Sequence, residues 1–271
     1  MPDIAWPGGS VAISFTVDFD ADVGMDWREL DGRLTSTSEA RFGAVRGVWR
    51  LLELFAEKKI STTFYVPGEI AERWPEEVRA IVAAGHEIGH HGHFHLFNDR
   101  VDAAGQRAEL DRGLHALGDL LGHAPRGYRS PGWELTPETV ELLLDRGFTF
   151  DSSCMGDDRP YVERSGGHAI LELPVHWSLD DWVYYAFSRD AGGPMVDPDA
   201  VYHCWLREFE SALAERRHVT YTLHPECSGR GYRSRTVGLL IDQMRARADV
   251  WFAQHGAVAD LVGPSLDLTP A

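Results

Sequence analysis

Short β-type runs alternate with helix-type patterns along almost the whole chain, which leaves few folds open. The strand-like runs, rich in β-branched and aromatic residues, cover residues 11–17, 61–66, 86–89, 148–151, 170–175 and 219–223. Between them, segments such as residues 39–58 repeat apolar side chains at helical spacing. Repeated strand–helix units build a mainly parallel sheet, and about seven or eight of them favour a closed barrel. An open doubly wound sheet is the alternative, although residues 18–22 lack the glycine-rich turn that usually follows its first strand.

The composition limits the classes of partner. A hydrophobic fraction of 44%, with 9 Trp, 12 Phe and 8 Tyr, is ample for a buried core. A formal net charge of −16 disfavours nucleic acid, acidic lipid and anionic wall polymers, because such a surface repels them. The three cysteines are too few for a disulfide framework, and no apolar run approaches the roughly 20 residues that span a bilayer. The first ten residues do not form a signal peptide, so we expect a cytoplasmic protein with no membrane or nucleic-acid partner.

Chemically active side chains follow the predicted strands. They are Asp18, Asp20, His91, Arg129, Asp151, His176 and His224. In a barrel of parallel strands, catalytic residues come from the carboxyl ends of the strands, so these side chains are expected to share one face. The pattern predicts a single catalytic site there.

Three of the side chains suit a divalent metal. Asp20, His91 and His95 would supply one carboxylate and two imidazoles, and a catalytic metal typically takes three protein ligands and one water. The four-residue spacing brings both imidazoles to one face if this segment is helical. Asp18 would remain free to take a proton from the water. The alternatives are an acidic turn for the aspartates and a polar loop for the histidines.

Two further residues could complete a hydrolase. Arg129 can hold a carboxylate in its ionised form, as a general base requires. His224 can donate a proton to a leaving amine near neutral pH. A surface salt bridge and a capping histidine are the alternatives. The aromatic residues Trp133 and Trp177 could line the cleft or belong to the core.

Together these motifs resemble the polysaccharide deacetylase family. The resemblance rests on Asp18-x-Asp20, the run from Gly85 to His91 with His95, Arg129-x-Pro131, and Leu223-His224-Pro225. It implies a distorted TIM-like (β/α)7 barrel, a single catalytic domain over residues 1–271, and metal-dependent amide hydrolysis. In that scheme Asp18 is the general base, His224 the general acid, Arg129 the brace of Asp18, and Asp151 the residue that orients His224. Asp20, His91 and His95 hold the metal, for which zinc is favoured over cobalt, nickel or manganese.

Other details resemble one branch of this family. A phenylalanine separates the two aspartates, and the segments Tyr128-x-x-x-x-Trp133 and Trp177-x-x-Asp180-Asp181 look like cytoplasmic peptidoglycan-deacetylase-like, allantoinase-like and cyclic-imide-hydrolase proteins. The branch implies a homo-oligomer, a dimer or a tetramer, with Tyr128, Pro131, Trp133 and Trp177 at the substrate. We expect a hydrolase that removes an N-acyl group from an amino sugar or a similar small amide. A cyclic imide or ureide hydrolase is the alternative enzyme, and a non-catalytic, metal-stabilised carbohydrate-binding protein is the alternative of another class.

Overall fold

A mainly parallel sheet forms the centre of the molecule in a computed structural model, which describes residues 4–24, 32–188 and 190–269. The strands are β1 (Val11–Asp18), β2 (Thr63–Val66), β3 (Glu87–His90), β4 (Gly127–Tyr128), β5 (Phe150–Asp151), β6 (Tyr161–Ser165), β7 (His168–Glu172), β8 (His218–Leu223) and β9 (Val250–Phe252). The helices are α1 (Leu34–Phe42), α2 (Val48–Lys58), α3 (Gly68–Arg73), α4 (Pro75–Ala83), α5 (Ala103–Leu121), α6 (Pro137–Asp145), α7 (Trp182–Tyr185), α8 (Pro198–Glu215), α9 (Gly231–Arg247) and α10 (His255–Val262). Within the described ranges, no helix combines the length and apolar character needed to cross a bilayer.

The sheet curls into a distorted barrel of the predicted kind. Its strand order is β6-β7-β5-β4-β3-β2-β1-β8, and β9 pairs with the start of β1. The ladder between β6 and β7 is antiparallel, and the others are parallel. A single parallel bridge joins Asp180, downstream of β7, to Thr222 in β8. This bridge brings the segment after β7 to the free edge of β8 and curls the sheet towards closure.

Apolar burial on both sides of the sheet explains the strand pattern. Every residue of β1, β2 and β8 is buried, as expected for parallel strands covered on both faces. The largest apolar cluster packs residues of these strands against α2, α4, α8 and α9. A second cluster packs α10 against residues of β1, β5 and β7. The observed bounds of most strands and helices agree with the predicted ones to within a few residues.

The helix predicted over residues 39–58 is interrupted by a π-helical turn at Gly43–Gly47. A side chain at Gly47 would lie only 2.2 Å from the carbonyl oxygen of Pro225, and one at Gly43 would lie 2.8 Å from Oε2 of Glu226. The turn therefore allows the segment after His224 to pack directly against the helix backbone. Strand β6 and helices α3 and α10 were also absent from the sequence-based prediction.

Candidate active site

Four strands deliver side chains to one edge of the sheet. Asp18 ends β1, His91 follows β3, Arg129 follows β4 and His224 follows β8. Because these strands are parallel, their carboxyl ends meet on the same face of the barrel. All four side chains are at least nine-tenths buried, so they form the floor of the site.

Asp20, His91 and His95 form a compact cluster of ligand-type atoms. Nε2 of His91 lies 3.6 Å from Oδ1 of Asp20, and Nε2 of His95 lies 3.4 Å from Oδ2. One ligand atom from each residue falls within 4.8 Å of the other two. Oδ1 of Asp20 is buried and lacks a hydrogen-bond partner among the described residues. The cluster thus presents one carboxylate and two imidazoles to a common point.

The protonation of the cluster suits a divalent cation. Nδ1 of His91 lies 2.7 Å from the carbonyl oxygen of Arg129, and only a protonated ring nitrogen can donate to it. In the neutral imidazole, Nε2 therefore keeps its lone pair, and burial lowers the pKa of His91 and favours this neutral form. Burial alone would raise the pKa of Asp20, but the imidazoles around it, that of His95 above all, outweigh burial and lower the pKa of the carboxyl. These donors fit the metal site predicted from the sequence.

The two histidines converge through a loop and not through a helix. Residues 91–97 have no helical turn. Gly92 has a φ of 71° and His95 a φ of 58°, so the chain turns twice through the left-handed region. This conformation is rare for residues other than glycine, and it returns the His95 imidazole towards Asp20. The helical premise for the four-residue spacing is therefore wrong.

Asp18 is held by a buried arginine. Nη1 of Arg129 donates to Oδ1 of Asp18 at 2.6 Å, and Nε1 of Trp133 donates to Oδ2 at 3.3 Å. The same guanidinium donates to Oγ1 of Thr16 and to both the carbonyl oxygen and Oγ of Ser152. It also lies 4.2 Å above the ring of Tyr65. This network fixes the carboxylate beside the cluster, where it could accept a proton.

His224 is oriented by Asp181. Nδ1 of His224 lies 2.8 Å from Oδ1 of Asp181, and its Nε2 lies 4.0 Å from carboxylate oxygens of both Asp18 and Asp20. Burial would lower the pKa of His224, but Asp180, Asp181 and Asp18 reverse this and raise it well above the usual range. The imidazole is thus held as a proton donor that faces the site.

Asp151 does not take the expected position beside His224. Its Oδ1 instead accepts a hydrogen bond from Oγ of Ser153 at 3.0 Å, and its carboxyl faces Glu172. Sequence reasoning missed Asp181, although the segment Trp177-x-x-Asp180-Asp181 had been noted for the family branch. The missing signal was structural, because Asp181 follows a turn and a single bridge and not a strand.

The aromatic residues divide into an exposed rim and a buried support. The rings of Trp133 and Trp177 stack with centroids 4.5 Å apart, and Trp177 is 43% exposed. Trp182, also exposed, lies 5.2 Å from the ring of His224. By contrast, Tyr128 is buried, and its hydroxyl accepts a hydrogen bond from Asn98. Pro131 is buried as well. Trp177 and Trp182 are exposed enough to meet a ligand. Trp133, Tyr128 and Pro131 are buried, and their contact with substrate stays a prediction.

Comparison with known proteins identifies the family. The family model described as "Polysaccharide deacetylase" matches residues 42–150. A peptidoglycan deacetylase of Helicobacter pylori is 30% identical over 251 residues, which cover 81% of this chain and 85% of that protein. This chain belongs to the polysaccharide deacetylase family. It is therefore a hydrolytic enzyme of the deacetylase type.

Solved structures similar to this deacetylase-family chain include proteins with two different assigned activities. A protein from Mycobacterium smegmatis assigned as a polysaccharide deacetylase is 35% identical, with a TM-score of 0.92, covering 100% of this chain and 96% of its own. The Puue allantoinase is 25% identical, with a TM-score of 0.86, covering 98% of this chain and 94% of its own. The same fold thus occurs in a protein named as a polysaccharide deacetylase and in one named as an allantoinase.

Proposed function

We propose that this enzyme is a metal-dependent amide hydrolase that removes an N-acyl group from an amino sugar or a comparable small amide. The observation that carries the proposal is the arrangement around Asp20. Nε2 of His224 lies 4.0 Å from Oδ2 of Asp20 and equally far from Oδ2 of Asp18. A metal ligand, a spare carboxylate and a proton-donating imidazole are thus neighbours, as amide hydrolysis requires.

The metal would be held by Asp20, His91 and His95. The mixed oxygen and nitrogen ligands favour zinc, with cobalt, nickel or manganese as alternatives. When bound, such an ion would polarise the scissile carbonyl and lower the pKa of a water molecule by several units. Asp18 would then take the proton of the attacking water, while the hydrogen bond from Arg129 keeps the carboxylate aimed at the site.

His224 would complete the reaction as general acid. Cleavage of an amide requires a proton on the departing nitrogen, because an amide anion is a very poor leaving group. The raised pKa of His224 keeps the imidazole protonated near neutral pH, and its Nδ1 contact to Asp181 leaves Nε2 to face the site. The base and the acid therefore come from different strands. Asp18 acts on the attacking water, and His224 acts on the departing nitrogen.

A cyclic imide or ureide is the second candidate substrate class. The similarity to the allantoinase supports it, and so does the exposed Trp177 ring stacked on Trp133, since aromatic faces suit planar rings as well as sugars. Ring opening of such a substrate uses the same base and acid. The two candidates therefore differ in how the rim binds substrate and not in the catalytic groups.

A turnover assay would separate the candidates. The panel should contain N-acetylated amino sugars and their oligomers, cyclic imides and allantoin, each tested with the purified protein before and after chelation and after Zn²⁺ is restored. We expect turnover of one class, loss on chelation and recovery with the ion. Asp18→Asn and His224→Gln variants serve as controls, because each removes one proposed proton carrier and keeps the side-chain size. Full activity of these variants, or of the chelated protein, would overturn the proposal.

A further inference from the structure

One carboxylate oxygen organises the loop that carries His95. Oε2 of Glu109, a buried residue of α5, accepts three backbone hydrogen bonds. The donors are the N–H groups of His93 at 3.0 Å, Phe94 at 2.8 Å and Leu96 at 3.4 Å. These donors surround His95 in the chain on both sides. The loop therefore wraps around a single anionic oxygen.

The same loop is tied down from its other side. The carbonyl oxygens of Gly92 and His93 accept hydrogen bonds from the N–H groups of Gly68 and Glu69 at the start of α3. A side chain at Gly92 would lie 3.3 Å from Oε2 of Glu109, so the backbone approaches the carboxylate closely. The carbonyl groups of the loop thus accept hydrogen bonds from α3, and its N–H groups donate to Glu109 of α5. Together these bonds fix the conformation of the loop.

That conformation is the one that directs His95 to Asp20. The loop needs left-handed backbone angles at His95, which an L-residue adopts only when its surroundings impose them. Without Glu109, one buried and two half-buried N–H groups would lose this acceptor, and the loop would rearrange to satisfy them. Such a rearrangement would separate the Nε2 atom of His95 from its 3.4 Å position beside Asp20.

We propose that Glu109 is a positioning residue for the metal site, which holds the His95 ligand in place through three backbone hydrogen bonds. The inference rests on the proposed function, because it assumes that Asp20, His91 and His95 bind the ion. Glu109 itself does not belong to the ligand cluster. Its substitution should therefore weaken metal binding, whereas the chemical step of the metal-loaded enzyme should change little.

Zn²⁺ affinity of the metal-stripped full-length chain, measured by competition with a chromophoric chelator, tests the role. We expect Glu109→Met to bind Zn²⁺ roughly 10–100-fold more weakly than wild type, as is typical when support of a ligand is lost. Glu109→Gln should lose roughly threefold, because an amide oxygen can accept the same bonds without the charge. Glu141→Met and Glu141→Gln, at an exposed position of α6, are the matched controls and should bind as wild type does.

The affinity is measured well below the melting temperature of each variant. If Glu109 only stabilised the fold, its replacement would lower Tm and leave the Zn²⁺ affinity unchanged. If Glu109→Met does not fold, Glu109→Gln decides, with faster hydrogen exchange expected at the amides of His93, Phe94 and Leu96. Wild-type affinity and exchange in the Glu109 variants would overturn this inference alone. A wild-type chain that binds no Zn²⁺ would overturn the metal assignment as well.

Discussion

Asp181 holds His224 at two points, through the Nδ1 atom of its imidazole and through its backbone N–H. The distances from the carboxylate are 2.8 Å to Nδ1 and 2.9 Å to the backbone nitrogen, and the N–H of Ser228 donates to the same carboxylate at 3.0 Å. The carboxylate therefore fixes both the ring and the turn that carries it. It also favours the protonated ring, since an adjacent negative charge stabilises an imidazolium.

Replacing Asp181 by Asn should move the basic limb of the pH–rate profile to lower pH. The proposed reaction needs a protonated His224, so activity falls as the pH rises through the pKa of this residue. Asn is neutral and no longer raises that pKa, and we expect the limb in kcat/KM to shift down by at least about one pH unit. Asp119→Asn, at an exposed position of α5, is the control. An unmoved limb would show that Asp181 does not set the protonation of His224.

Removing a histidine of the cluster should remove the metal. We expect His91→Ala and His95→Ala to lose nearly all bound ion and roughly three orders of magnitude in kcat/KM, because the ion is proposed to stabilise the transition state by several kcal/mol. Elemental analysis and steady-state kinetics on the same samples give both quantities. His115→Ala, which removes an exposed imidazole of α5, should retain full metal content and activity. Stoichiometric metal in either cluster variant would contradict the assignment.

Arg129→Lys should lower activity although it keeps the positive charge. A lysine cannot reproduce the simultaneous bonds to Asp18, Thr16 and Ser152, because it lacks the planar fork of the guanidinium. A general base displaced by about 1 Å can cost roughly 100-fold in rate, so a loss of this size is expected in kcat/KM. Arg126→Lys, in a half-exposed ion pair with Asp260, provides the comparison and should change little. Equal activity of the two variants would argue against a geometric role for Arg129.

The sequence was sufficient for the residues that end parallel strands. Asp18, Arg129 and His224 lie together because the strand pattern fixes the face on which they emerge. The positions of His95 and Asp181 depend on other features. His95 needs a left-handed backbone imposed by a carboxylate 14 residues away, and Asp181 follows a short turn with one bridge. Neither feature has a periodic pattern. The four-residue spacing therefore placed His95 with Asp20 only through a helical premise that is wrong, and no local signal pointed to Asp181 as the partner of His224.

For Asp151, the strand pattern predicted the position but not the role. It ends a strand as expected, yet its surroundings do not place it beside His224. It lies with the buried Glu172 and the half-buried Cys154, next to Tyr161 and Glu163. Oδ2 of Asp151 and Oε2 of Glu172 are buried, and each lacks a hydrogen-bond partner in the described part of the chain. Burial raises the pKa of Asp151 and raises that of Glu172 well above its usual range. A proton shared between the two facing carboxyls would best satisfy these two oxygens.

Glu172→Gln should therefore make stability less dependent on pH. In the wild type, the raised pKa values mean that the folded chain binds protons more tightly than the unfolded chain. This stabilisation is complete below the unfolded pKa values near pH 4 and is lost as the pH rises through the folded ones, at about 1.4 kcal/mol for each unit of pKa difference. Gln supplies a permanent N–H donor to Asp151, so denaturant unfolding between about pH 4.5 and 8 should show a smaller decline in the free energy of unfolding. Glu141→Gln, which removes an exposed carboxyl, should follow the wild-type slope. If Glu172→Gln followed it too, the two buried carboxyls would not share a proton, and both would have to be ionised in the folded chain.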